Sequence, residues 1–268
     1  MALDIPTVSS DSIPPVQRDE DFFIENITFK VEDTLFCVPK MGFLDPECFF
    51  AGMFDLPGPG PNGEQVQGAA DDCPIILEGE SKAHFKAFLK VLYQPLYCSL
   101  PKPGKSYDFK STRAMDIHSY DEWVGVLHLS TKWYFANIRQ IAIEKISRLI
   151  MPDSLNSLTM PEACNMVALA RKYNVRGWLL EGYRALVDIH TPHIVAELVE
   201  TMGLDDALKL LQIRDTVLFG RAKQNRGWVS PLSTSDPDML ILEAFASEFA
   251  TMEVECGTPE RTVPVNVF

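Results

Sequence analysis

The chain has no window of the roughly twenty uninterrupted apolar residues that a membrane helix requires. Its first stretch, MALDIPTVSSDSIPP, has neither the basic segment nor the apolar run of a secretory leader, which predicts an intracellular protein, cytoplasmic or nuclear. Cysteine is sparse. The six residues Cys37, Cys48, Cys73, Cys98, Cys164 and Cys256 form no C-x-x-C pair and lack the density of a small secreted scaffold, so a reducing compartment fits best. In that setting the sequon Asn26-Ile27-Thr28 carries no meaning. Positive charge is also in deficit, with 24 Lys and Arg against 37 Asp and Glu, a formal net charge of −13. A surface that acidic repels phosphate within a Debye length, so neither nucleic acid nor an anionic membrane is an expected partner.

Catalytic signatures are missing as well. There is no G-x-S-x-G elbow, no H-E-x-x-H and no G-x-x-x-x-G-K-[ST] loop. Gly58, Gly60 and Gly63 have the spacing of a dinucleotide fingerprint, but prolines stand where amides should face a pyrophosphate, and no helix pattern follows. His190 and His193 have a ligand-like spacing without an acidic or thiol partner nearby. The expectation is a protein that is not an enzyme and that has no metal site and no cofactor. Catalysis by residues scattered along the chain stays open at this point.

What is present is an ordered series of short amphipathic elements. Residues 1 to 20 are Ser-, Pro- and Asp-rich and read as a disordered arm. From Ile24 to Val38 apolar and polar residues alternate about the turn Glu32-Asp33, which predicts a β-hairpin closed by Pro39. Two short helical pieces follow, the second starting near Pro46-Glu47 and expected to bury Phe49, Phe50, Met53 and Phe54. Residues 57–72 read as a loop. Pro74–Leu77 reads as a strand leading into a helix with Phe85, Phe88, Leu89 and Leu92 on one face and Lys82, Lys86 and Lys90 on the other. A second long loop spans 95–119 and carries Lys102, Lys105, Lys110 and Arg113, read as a solvated insertion.

Beyond Tyr120 the pattern is helical. Ser119 with Glu122 and Thr159 with Glu162 have the spacing of capping boxes, and Pro161 falls in a first turn. Further helices are predicted at Ala136–Ile150, at Val175–Val187, after Thr191-Pro192, and from Asp205 with Leu208, Leu211 and Leu218. After a Pro- and Ser-rich break, a last helix is predicted near Met239–Phe249.

This order of elements resembles the BTB (POZ) domain. The phrases FKVEDTLFCVPKMGFLDPECFFAGMF, PIILEGESKAHFKAFLKVLY and LARKYNVRGWLLEGYRALV are similar to BTB proteins abundant in basidiomycete fungi. The resemblance implies an α+β fold with a BTB/POZ domain over 21–150, loop insertions at 57–72 and 95–119, an all-α extension over 151–250 and a tail from 251 to 268. It also implies a protein–protein interaction module or scaffold that homodimerises or binds protein partners.

In animal members of the transcription-factor type the usual dimer interface has an Asp where this chain has Asn26, and His-Lys where it has Pro39-Lys40. These three residues are therefore the candidate dimer-interface positions, with an altered charge pattern. Cullin-binding members have an apolar residue, any residue, then Glu at the start of the helix after the third strand. Here the candidate cullin-facing triplet is Phe85-Lys86-Ala87. The missing carboxylate places a cullin-type ubiquitin-ligase adaptor second to a plain interaction module.

Overall fold

The computed structural model describes residues 17–19, 23–54, 67–94, 117, 119–150, 158–188, 195–225 and 236–252. It is mixed α+β, mostly helical, with one small sheet. The chain divides into two compact units, Met1–Lys82 and Ala83–Phe268.

In the first unit the predicted hairpin forms from β1, Asn26–Val31, and β2, Thr34–Pro39, paired antiparallel with Asn26 opposite Pro39 and Val31 opposite Thr34. Glu32 adopts a left-handed conformation in the turn, at φ 52°. The expected third strand shortens to β3, Ile75–Ile76, which joins β1 in parallel and sets the order β2-β1-β3. Alternation along β1 places Ile27, Phe29 and Val31 on the buried face. Phe29 meets Phe43 at 4.9 Å and Phe50 at 5.7 Å between ring centroids, and the last two lie 5.1 Å apart, so three enclosed rings form the centre of this unit.

The helical pieces after β2 are a 3₁₀ turn, Lys40–Phe43, and α1, Phe49–Phe54. Of the four residues expected to be buried in the second piece, only Phe50 is enclosed; Met53 and Phe54 are half-buried and Phe49 is exposed. Successive helical residues diverge by about 100°, so a six-residue helix cannot turn both Phe49 and Phe50 inward. Gly68, at φ +84°, lets a loop reach the sheet beside Ile27 and Ile75. Its carbonyl accepts the Thr28 amide at 2.8 Å.

In the second unit α2, Lys82–Leu92, begins with Lys82 still in the first unit. Phe85, Phe88 and Leu89 are buried as the spacing predicts, joined by Ala87 and Val91, while Leu92 is half-buried. Phe88 packs edge-on against Trp133 at 5.3 Å and Phe135 at 5.2 Å. The helices α3, Tyr120–Lys132, and α4, Ala136–Ile150, pair next. The capping box that opens α3 is made, since Ser119 Oγ accepts the Glu122 amide at 3.1 Å and the Glu122 carboxylate accepts the Ser119 amide.

Helices α5, Met160–Tyr173, and α6, Arg176–Asp188, pack against one another. The second predicted capping box, Thr159 with Glu162, opens α5, and Asn174 ends it in a left-handed conformation. Gly182 lets α6 approach α5 closely, since a Cβ there would lie 2.6 Å from a Val167 methyl. Then come α7, Val195–Met202; α8, Leu204–Asn225; α9, Pro237–Ala244; and α10, Ala246–Thr251. The single helix expected near Met239–Phe249 is thus two, divided at Phe245.

The face of α8 also departs from expectation. Leu208 and Leu218 are exposed and Leu211 is half-buried, while Ala207, Leu210, Ile213 and Val217 are buried. This helix carries two apolar stripes, and packing selected the second.

Candidate functional site

The three dimer-interface candidates come together at the open end of the hairpin. Asn26 and Pro39 are register partners, and the Lys40 amide donates to the Glu25 carbonyl at 2.7 Å. Lys40 Nζ lies 3.8 Å from Glu25 Oε2 and 4.8 Å from the centroid of the Phe54 ring, a cation–π contact. Phe23 and Ile24 precede β1, and Met41 and Leu44 follow β2. These four side chains are 50, 58, 66 and 50 % exposed. Exposed apolar side chains flanking both strand ends make the open end a candidate association surface.

The cullin-facing triplet is divided. Phe85 and Ala87 are enclosed, at 0 and 1 % exposure, and Lys86 alone faces solvent. Position 87 is enclosed, so a carboxylate there would be withdrawn from solvent.

At the other end of the hairpin, Lys82 pairs with Asp33 at 2.8 Å and approaches Glu32 at 3.8 Å. The donated hydrogen bond holds Asp33 below its ordinary range, and the same bond raises Lys82. Beside them a depression of about 550 Å³ is lined by Lys30, Glu32, Ile76, Leu77, Glu78, Gly79, Glu80 and Ser81. It offers carboxylates and an exposed Ile76.

A half-buried polar network in the helical unit was not foreseen from the sequence. Arg171 on α5 donates through Nε to Glu248 Oε1 at 2.7 Å and through Nη2 to Asp206 Oδ2 at 2.6 Å. The same Nη2 donates to the Tyr183 hydroxyl at 2.9 Å, and that hydroxyl donates to Glu248 Oε2 at 2.7 Å. Burial works against the Arg171 charge, yet the bonds to Glu248 and Asp206 outweigh it and raise its pKa. Burial, then the bond to Glu248, pushes the Tyr183 phenol far above the ordinary tyrosine range. Every member has a partner, so the group ties α5, α6, α8 and α10 together and leaves no free acid or base. Only charge at distant positions hinted at it; periodicity carries no such signal.

The outer apolar stripe of α8, which packing left uncovered, forms another exposed surface, with Leu204 and Phe219 at 59 and 70 % exposure. Among the described residues no group of His, Cys, Asp and Glu is arranged to hold a metal ion, and no helix is long and apolar enough to cross a membrane. His190, His193, the glycines at 58, 60 and 63 and the four basic residues of 95–119 lie outside the described residues. No protein-family model and no curated protein sequence matches the chain.

Proposed function

We propose that this chain is a non-enzymatic association module of the BTB (POZ) type, with a domain over 21–150 that dimerises or joins protein partners and a helical extension that adds a second contact surface. The observation that carries the reading is the open end of the hairpin. There the strand ends carrying Asn26, Pro39 and Lys40 are flanked in sequence by exposed apolar residues, Phe23 and Ile24 before β1 and Met41 and Leu44 after β2. The order of elements supports it, as a hairpin, two short helical pieces, a strand, an amphipathic helix and capped helices follow one another. The outer stripe of α8 supplies the second surface.

A cullin-type adaptor draws less support, since two residues of its expected contact triplet are enclosed. Light scattering on the eluting full-length protein tests the proposal. Wild type at tens of micromolar is expected to run above monomer mass, and Met41→Asp with Leu44→Asp to lower that mass. A strict monomer that also captures no protein partner would sink the reading.

A further inference from the structure

We propose that the outer edge of β2 pairs with the same edge of a second copy, antiparallel across a two-fold axis, joining two three-stranded sheets into one of six. The ladder determines which backbone groups are free. The bond from the Lys40 amide to the Glu25 carbonyl flanks the Asn26–Pro39 pair. In an antiparallel ladder such a pair is a non-hydrogen-bonded one, so the bonded pairs are Ile27–Val38, Phe29–Phe36 and Val31–Thr34. The amides and carbonyls of Leu35 and Cys37 therefore point away from β1.

The β1 strand confirms the phase independently. The Thr28 amide and the Lys30 carbonyl, both from non-bonded pairs, are used on the far side, by Gly68 at 2.8 Å and Leu77 at 3.0 Å. No such strand or loop serves the β2 edge among the described residues, where the sheet order ends.

Among the described residues this edge lacks the usual protection. Edge strands are commonly blunted by charge or proline, but Leu35 and Cys37 are exposed and uncharged, and Pro39 removes a donor only at the last position. No residue of β2 is fully buried.

The ends of the strand identify the occupant. Glu32 and Asp33 precede β2 and Lys40 follows it. With Leu35 of one copy opposite Cys37 of the other, Lys40 of each copy comes opposite Glu32 of its mate, so charge is matched at both ends. A parallel copy sets acid beside acid. The pairing satisfies the free amides and carbonyls of Leu35 and Cys37 in both copies. A strand edge this short buries less than the roughly 1,200 Å² of a stable interface, so the dimer is weak and concentration-dependent.

This contact is separate from the open-end patch and goes beyond it. Sedimentation of the full-length protein across about 10–500 µM is expected to show a concentration-dependent association step beyond that of the open-end patch, and Leu35→Lys with Cys37→Lys to move the midpoint of that step at least about tenfold upward. Far-UV circular dichroism checks that this variant folds.

A cross-link gives a second reading that does not depend on the lysines. In the proposed register Cα atoms of positions 35 and 37′ lie about 5.5 Å apart, within disulfide range. Under diamide, which accepts the two electrons and two protons released, Leu35→Cys is expected to give a covalent dimer. Leu35→Cys with Cys37→Ser gives none, because like positions are offset by two residues. Equal cross-linking of these two variants, or a dimer untouched by the lysines, overturns the edge pairing and leaves the open-end patch as the association surface. A wild-type monomer throughout overturns self-association at both surfaces.

Discussion

Replacing Tyr183 by Phe removes one oxygen from an enclosed side chain of the helical unit while leaving the ring in place. The ring is 0 % exposed and stacks on Phe245 at 4.2 Å between centroids, a contact that the variant keeps. The hydroxyl accepts from Arg171 at 2.9 Å and donates to Glu248 at 2.7 Å, so two hydrogen bonds to charged groups are lost. Such bonds are each worth about 1.5–3 kcal/mol when net contributions are measured. Arg171 and Glu248 stay bonded to one another, with side chains 32 and 24 % exposed, and they regain water. The loss is therefore nearer to one bond than to two, about 1.5–3 kcal/mol. For a unit of this size that lowers Tm by roughly 3–12 °C.

Urea unfolding followed by tryptophan fluorescence and by circular dichroism measures it. A double-mutant cycle with Glu248→Gln is expected to give a coupling of about 1 kcal/mol. The sign with pH follows from the raised phenol. Its contribution is fully present below the unfolded value of 10.0 and is lost as the pH rises above it, so Y183F lacks that alkaline loss. A variant within about 0.5 kcal/mol of wild type, the range of ordinary surface substitutions, would refute the view that this network secures α10 to α5 and α6.

Gly68→Ala places a methyl 2.8 Å from Ile27 and 3.0 Å from Ile75 at a positive φ, and is expected to cost about 2–4 kcal/mol in equilibrium unfolding. Phe29→Ala removes the ring shared by Phe43 and Phe50, and a loss of about 3–5 kcal/mol should appear in the same assay. Glu162 is held below 4.5 chiefly by the Thr159 amide, so its stabilisation is present above that value and fades as the pH falls. The urea midpoint of Glu162→Gln, followed from pH 6 to pH 3, should fall less steeply than that of wild type. Ser119→Ala removes the oxygen that accepts the Glu122 amide and should cost about 0.5–2 kcal/mol.

The sequence by itself determined the local elements. Alternation about Glu32-Asp33 specified the hairpin, since a period of two puts Ile27, Phe29 and Val31 on one face whatever lies beyond it. Ser119 with Glu122 and Thr159 with Glu162 specified two helix starts, because a capping box is satisfied within four residues. It also placed Asn26, Pro39 and Lys40 at one end of a hairpin, for the turn alone decides which residues face each other.

Tertiary structure decided everything that depends on a neighbour distant along the chain. Phe49 and Phe50 are the same residue type, and only the position of Phe29 and Phe43 selected the second for burial. The helix α8 offers two apolar stripes, and only its packing partners determined which is enclosed. The bonds among Arg171, Tyr183, Asp206 and Glu248 span up to 77 positions, beyond any periodic signal. The free edge of β2 is likewise a fact of strand order. That β1 takes β3 on its far side, so that Leu35 and Cys37 turn their amides and carbonyls outward, follows from assembly of the sheet and not from the pattern of any one strand.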